Sequence, residues 1–247
     1  MRFTGFKRAG LSGRQACLVW FLCLASAPAF LAGRSAAETP TVPQPLAGRV
    51  IVLDPGHAVL NEKGKIINPG SRARRGLPAG RQGVWERDVV LDVAEKLAPL
   101  LEAQGARVYM TRTRSNPWRH SLQGKQADNR ARAIFANTMR ADAYVRLHCD
   151  WNRYRKFKGF TTFYYRWGSR RLAKCLHRAL DKSIPGRTDH GMHRRTFVSV
   201  TTTMPAVLLE LGVLSNRKEG ADLAGDGYKA RLAEAISNGL VDYFETS

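Results

Sequence analysis

The sequence predicts a single α/β domain in which helices flank a mostly parallel central sheet, giving three layers. From residue 49 onward, strand-like segments alternate with helix-like segments, which is typical of parallel sheets. The first strand, 50–53, is continuously apolar and rich in β-branched residues, as expected for a strand covered on both faces. The sequence shows no internal repeat and no sign of a second domain.

The other elements follow from the spacing of apolar residues. Runs rich in apolar and β-branched residues predict strands at 106–111, 143–148, 159–165 and 206–212. Apolar residues that recur every three or four positions predict helices at 88–104, 125–140, 169–182 and 228–244. Pro99 should weaken or kink the first helix, because proline lacks a backbone donor. Ile134 should face inward from the second helix, and Ser169 suits the N-cap of the third.

The N-terminal residues are typical of an export signal. A basic stretch precedes an apolar stretch and a small-residue cleavage site at Ser35-Ala36-Ala37, so residues 1–37 are predicted to be a signal peptide. An uncleaved membrane anchor is the alternative. Residues 38–47 form a Pro-rich lead-in, and 48–247 form the main domain. The protein is therefore expected outside the cytoplasm, in the periplasm, the cell wall or the medium.

The charge of the chain is strongly positive, with 40 Lys and Arg against 20 Asp and Glu. Residues 1–37 hold five of the basic residues and none of the acidic ones, so 35 against 20 remain after cleavage. For an exported protein we expect anionic wall polymers or lipid head groups as partners of this basic surface, and not nucleic acid. The basic runs 72–75 and 153–158 are either solvated or hold the protein to such polymers. Two cysteines lie outside residues 1–37, Cys149 and Cys175. They form either one disulfide bridge or two separate buried thiols.

Three predicted strands end in polar side chains that their apolar pattern does not explain. His57 follows the first strand, His148 ends the third, and Glu210 interrupts the last, where a buried unpaired carboxylate is costly. Glu86 precedes the first helix. Ligands gather at the carboxyl ends of parallel strands, and two histidines, a glutamate and water form a catalytic zinc shell. The other glutamate can then accept the proton of that water. Taken singly, each of these side chains could instead be structural.

Four segments of the sequence resemble, in order, the motifs of the zinc-dependent N-acetylmuramoyl-L-alanine amidases of the type 3 class. They read VLDPGH, WERDVVLDVAEKLAPLLEAQGARVYMTR, RAIFANTMRADAYVRLHCDWN and MPAVLLELGVLSN, and the resemblance covers about residues 48–244. It implies Zn²⁺ ligands at His57, Glu86 and His148 and a catalytic glutamate at Glu210. It also implies that water, activated by zinc and Glu210, cleaves the amide between the lactyl group of N-acetylmuramic acid and L-alanine in peptidoglycan.

The sequence departs from the family at several positions. The loop after His57 is long and contains Glu62, a rival to Glu86 as the second ligand. Arg146 stands where the family usually has serine, on the same strand face as His148. It could hold a substrate carboxylate or be structural, and Asn152 is a second candidate for substrate binding.

Other features and other functions remain open at this point. His190 and His193 either line the substrate groove or are solvated loop residues. Only about a dozen residues follow His148 before the next strand, so no inserted helix is expected to block the site. A zinc peptidase acting within the stem peptide and a non-catalytic wall-binding module are the alternatives to the amidase. We expect a monomer.

Overall fold

The computed structural model describes residues 43–73, 84–119, 125–196 and 201–246. The predicted signal peptide, 1–37, lies outside the described residues. Within the described part, no helix has the length and apolar character needed to cross a membrane. Leu46, near the end of the predicted lead-in, is fully buried, and its N–H donates to the carbonyl of Gln104 at 3.0 Å. The packed domain therefore includes the last residues of that lead-in.

The strands occur where the apolar runs predict them, with additions. They are β1 (Val50–Pro55), β2 (Val59–Leu60), β3 (Ile66–Asn68), β4 (Arg107–Met110), β5 (Ala143–Asp150), β6 (Phe160–Tyr164), β7 (Asp189–Arg194) and β8 (Ala206–Val213). Strands β2 and β3 pair with each other as a small antiparallel hairpin that follows His57. The long loop expected after that histidine therefore begins with a hairpin.

The other six strands form one sheet in the spatial order β4-β1-β5-β8-β6-β7. Strands β4, β1, β5 and β8 run parallel, β6 runs antiparallel to β8, and β7 runs parallel to β6. The predicted mostly parallel sheet is confirmed. The carboxyl ends of β1, β5 and β8, which carry or precede the three candidate residues, lie side by side at one edge.

The helices are α1 (Glu86–Ala103), α2 (Lys125–Thr138), α3 (Arg170–Ser183), α4 (Arg217–Ala224) and α5 (Asp226–Glu245). Helices α1, α3 and α5 pack together over one face of the sheet and enclose the larger apolar core. Helix α2 covers part of the other face with a smaller apolar cluster. In β1, Ile51 and Leu53 point into the larger core and Val52 into the smaller one, as strand alternation requires. The three predicted layers are present, with unequal outer layers.

Helix α1 runs through Pro99 to Ala103, so the predicted helix is confirmed. Three other local expectations need correction. Ser169 precedes α3 but does not cap it, because its hydroxyl accepts from the N–H of Ala206 at 3.0 Å. Ile134 is 50% exposed, because the inward face of α2 carries Arg132, Ala133 and Ala136. The segment holding His190 and His193 is the edge strand β7 rather than a loop.

Candidate metal centre

The fold brings the four candidate residues to the same edge of the sheet. His57 lies two residues beyond the end of β1, and Glu86 is the first residue of α1. His148 and Glu210 are register partners on the parallel strands β5 and β8, so their side chains project from the same face. These residues come from four separate parts of the chain.

Three of the four residues converge closely. Nε2 of His57 lies 2.8 Å from Oε1 of Glu86, and Nδ1 of His148 lies 3.1 Å from the same oxygen. The two histidine nitrogens are 3.2 Å apart. Tetrahedral zinc with bonds of about 2.0–2.1 Å separates its ligands by about 3.3–3.4 Å, close to these distances. The donor set and its spacing therefore fit a zinc ion. Glu62, the rival ligand, is exposed in the turn before β3 and is not part of the cluster.

Two glycines leave the space that this cluster occupies. A Cβ atom on Gly56 would lie 2.3 Å from Cε1 of His148. A Cβ atom on Gly70 would lie 2.8 Å from the ring of His57 and 2.9 Å from Oε2 of Glu86. All three distances are far shorter than ordinary contacts, so the three donors can approach one another only because neither glycine carries a side chain.

The protonation states of these side chains suit metal binding. Burial opposes ionisation of Glu86, but hydrogen bonds from His148 and His57 outweigh it and hold the pKa of this carboxyl well below its usual range. Burial lowers the pKa of His148, although the Glu86 carboxylate opposes the shift. An ionised carboxylate and a neutral imidazole are the forms that bind a metal.

Glu210 stands beside the cluster in a different electrostatic state. Burial raises the pKa of its carboxyl well above the usual value, and the carboxylates of Glu86 and Asp150 reinforce the shift, while Arg146 opposes it. Its Oε2 atom is buried and has no hydrogen-bond partner among the described residues. A buried carboxylate without a partner is costly, which points to a role in binding or proton transfer.

The family model for N-acetylmuramoyl-L-alanine amidases of the Amidase_3 type matches residues 51–242, most of the chain. This chain belongs to that family. It is thus a cell wall amidase, an enzyme that cleaves the bond between N-acetylmuramic acid and L-alanine. The matched residues include all four candidate positions.

Individual relatives agree with the family match. The amidase is 29% identical over 212 residues to the germination-specific N-acetylmuramoyl-L-alanine amidase of Bacillus subtilis, covering 81% of each chain. It is 30% identical over 201 residues to the probable cell wall amidase LytH of Staphylococcus aureus, covering 81% of this chain but only 60% of LytH. The solved catalytic domain of CwlV, an amidase from Paenibacillus polymyxa, superposes with a TM-score of 0.65 at 27% identity, covering 81% of this chain and 99% of that one.

Neighbouring groups orient the candidate metal ligands of this amidase. Nδ1 of His57 lies 3.0 Å from Oδ1 of Asn68, at the end of β3. Glu86 accepts from the backbone N–H of Ser71 at 2.8 Å and from that of Cys149 at 3.1 Å. Such contacts fix the orientation of a ligand and tune its affinity for metal. No sequence pattern points to Asn68, because only the β2–β3 pairing brings it back to His57.

Buried arginines hold the backbone around His57. This residue has a φ of 65°, in the left-handed region that non-glycine residues rarely adopt. Arg112 donates to the carbonyl oxygens of Pro55 and Gly56 at 2.8 Å each, and Arg132 donates to that of His57 at 2.9 Å. Charged hydrogen bonds of this kind are strong. They stabilise a turn that carries a candidate metal ligand.

A buried ionic network lies beneath the site, on the face of the sheet that α2 covers. Asp54 is fully buried, and its two oxygens contact Arg132 at 2.6 Å and Arg146 at 2.9 Å. Thr111 and Tyr144 donate hydroxyl groups to the same carboxylate at 2.6 and 2.8 Å. Burial opposes ionisation, but the two arginines and the Thr111 hydrogen bond hold the pKa of Asp54 well below its usual range.

The two candidate substrate-binding residues lie close to the site. Arg146 is 3% exposed and binds Asn129 at 2.7 Å in addition to Asp54. Asn152 is partly buried, and its side chain accepts from the N–H of Tyr154 at 2.9 Å, which shapes the turn after β5. Both side chains therefore have structural contacts, and their contact with substrate stays a prediction.

The remaining predictions concern side chains outside the cluster. The imidazole of His190 stacks on Phe157, and Nε2 of His193 lies 2.7 Å from the carbonyl of His190. Cys149 and Cys175 are separate buried thiols, so no bridge joins them. Residues 151–159 form turns without a helix, as the short spacing predicted.

Proposed function

We propose that this amidase is a zinc hydrolase in which His57, Glu86 and His148 hold Zn²⁺ and Glu210 is the catalytic residue. The observation that carries the proposal is the convergence of three metal-binding donors beside a buried carboxylate oxygen that has no partner among the described residues. The substrate bond is the amide between the lactyl group of N-acetylmuramic acid and L-alanine in peptidoglycan.

When bound, zinc supplies a Lewis acid that polarises the amide carbonyl and lowers the pKa of water. The chain contributes the fixed positions of the donors. Glu86 presents one ionised oxygen to both histidines and keeps the other on the N–H of Ser71. The Asn68 contact selects which nitrogen of His57 faces the cluster.

Glu210 moves the proton in this proposal. Burial raises the pKa of its carboxyl well above the usual value, and this makes the carboxylate a stronger base than an ordinary surface glutamate. It accepts the proton of the attacking water and then returns it to the amine of the departing L-alanine. Its register partner on β5 is His148, so the proton-transfer group and the metal ligand project side by side.

The location and partners of the enzyme form a separate part of the proposal. We infer that residues 1–37 direct export, that residues 48–247 form the catalytic domain, and that the enzyme acts in the periplasm or cell wall as a monomer. The excess of basic residues supports attraction to anionic wall material.

The decisive experiment is mass spectrometry of the fragments that the protein releases from purified peptidoglycan. We expect intact stem peptides with a free L-alanine amine, lost on treatment with a chelator and restored by zinc. Shortened peptides would instead indicate a peptidase. No release despite bound zinc would indicate a wall-binding module.

Three variants separate the roles of the carboxylates. Glu210→Gln should lower kcat by about 10²- to 10⁴-fold while leaving zinc content unchanged, because it removes the proton acceptor and no metal ligand. Glu86→Gln should lose zinc. The exposed Glu62→Gln is the matched control and should keep both zinc and activity. Wild-type turnover by Glu210→Gln, or loss of zinc from Glu62→Gln, would contradict these roles.

A further inference from the structure

A strongly basic surface borders the metal centre and has no role in the chemistry described above. We define the rim as residues 151–158 together with Arg217 and Lys218. It carries six exposed cationic side chains, none of which forms an ion pair with a carboxylate of the described residues: Arg153, Arg155, Lys156, Lys158, Arg217 and Lys218. The rim itself contains no carboxylate.

The two segments of the rim follow directly from strands that carry functional residues. The segment 151–158 continues from β5, which holds His148, and Arg217 opens α4 just beyond β8, which holds Glu210. Arg153 follows His148 by five residues, so the chain between them spans at most about 18 Å. The rim therefore lies at the same edge of the sheet as the candidate metal centre.

Hydrogen bonds between the segments keep the rim in a fixed shape. The side-chain amide of Asn216 donates to the carbonyl oxygens of Arg155 at 2.9 Å and Phe157 at 3.2 Å. The N–H of Asn152 donates to the hydroxyl of Ser215 at 2.9 Å. The Asn216 side chain also accepts from the N–H of Lys218 and thereby caps α4. A rigid surface loses less entropy on binding than a flexible one.

Aromatic side chains alternate with these cations. Trp151 is 50% exposed and Tyr154 is 64% exposed, and the guanidinium of Arg153 lies 4.7 Å from the centre of the Tyr154 ring. Large exposed aromatic residues and arginines are enriched where proteins bind partners. This mixture suits a ligand that combines carboxylates with apolar groups better than it suits a bare polyanion.

We propose that the rim binds the free carboxylates of the stem peptide attached to the cleaved amide. This inference rests on the proposed function. It adds that the enzyme selects substrates that carry a free carboxylate near the cleaved amide. The second stem residue is a glutamate linked through its side chain, so its α-carboxylate lies within two residues of the scissile bond. Cations that are free of protein carboxylates attract such a group.

The test compares two muramoyl peptides that differ only in that α-carboxylate, which is free in one and amidated in the other. At low salt, wild-type enzyme should show kcat/KM about tenfold higher on the free acid, equivalent to one favourable charge contact. Arg153→Gln/Arg155→Gln should lose this preference, because its kcat/KM on the free acid should fall to the value that it shows on the amidated peptide. Lys174→Gln/Lys182→Gln removes the same charge from exposed positions on α3 and should keep the preference.

Equal rates of wild-type enzyme on both peptides would overturn the proposal, as would an unchanged preference in the rim variant. A rim variant that loses binding to a phosphodiester polymer but keeps the peptide preference would assign the rim to wall polymers instead. Calorimetric binding of both peptides to Glu210→Gln gives the same comparison without turnover. A binding preference for the free acid, combined with no cleavage by wild-type enzyme, would support the rim while refuting the proposed function.

Discussion

The two faces of the central sheet are stabilised by different kinds of interaction. The face under α1, α3 and α5 is apolar, and side chains such as Leu97, Leu172 and Ile236 are fully buried there. The face under α2 has a small apolar cluster and, next to the metal centre, the ionic network around Asp54. The first face is stabilised by many buried side chains, each of which contributes about 1.5–3 kcal/mol to the free energy of folding. The second depends on one carboxylate.

A substitution on one face therefore has different consequences from a substitution on the other. Loss of one apolar side chain leaves a cavity but no uncompensated charge. Loss of Asp54 leaves Arg132 and Arg146 buried without their shared partner. Because Arg132 also binds the carbonyl of His57, damage on this face reaches the metal centre directly. The apolar face therefore supports the fold, and the polar face supports both the fold and the site.

The largest expected effect comes from Asp54→Ala. We expect it to lower the free energy of unfolding by about 3–5 kcal/mol, because two buried arginines lose the carboxylate that they share, although Arg132 keeps a second one, Asp128. Leu97→Ala, on the apolar face, should cost about 2–5 kcal/mol. Urea denaturation measures both losses, and zinc titration distinguishes them. Only Asp54→Ala should weaken zinc binding, and equal zinc affinities in the two folded variants would contradict the link between Asp54 and the site.

A smaller effect is expected from Arg112→Lys. Arg112 donates to the carbonyl oxygens of Pro55, Gly56 and Arg87, and an ammonium group cannot reproduce this fork. Zinc affinity should fall about 10- to 100-fold, as for other groups that orient metal ligands. Arg114→Lys is the control, since Arg114 is exposed and pairs only with surface carboxylates of α1. Equal zinc affinity in the two variants would show that Arg112 does not position the turn.

The smallest expected effect is on stability in acid, and it tests whether Asp54 is ionised in the folded protein. The pKa of Asp54 is depressed in the folded state, so its contribution is complete above the unfolded pKa of about 3.9. As the pH falls below that value, the advantage of wild type over Asp54→Asn should shrink by about 1.4 kcal/mol per pH unit. Denaturation curves between pH 6 and pH 3 measure this difference. A constant difference across that range would show that Asp54 is not held ionised by its neighbours.

The metal centre was more predictable from the sequence than the network that supports it. His57, His148 and Glu210 interrupt or end apolar strands, and although each could be structural taken singly, parallel strands bring all three to one edge of the sheet. Glu86 was a candidate from its place before the first helix, and the family resemblance implied that it is a metal ligand. By contrast, Arg112 and Arg132 look like ordinary members of a basic chain with 40 Lys and Arg. Their burial depends on long-range contacts with β1 that no local pattern indicates.

The same reasoning explains the errors in secondary structure. Strand β7 reads DHGMHR, which has neither apolar alternation nor β-branched residues, and it forms only because β6 offers a free edge. Ile134 was placed inward because it is apolar, but Arg132 takes the buried position on α2 through its pairing with Asp54. In both cases tertiary contacts outweigh local preference.

The glycines at positions 56 and 70 give the centre an unusual form of vulnerability. A Cβ atom added at either position would lie within 2.9 Å of a candidate ligand. A single added carbon at either position would push a ring or a carboxylate aside while leaving every donor atom in the protein. One alanine substitution at either glycine can therefore distort the site without removing any of its four candidate residues. A chain that keeps all four residues can still lack activity.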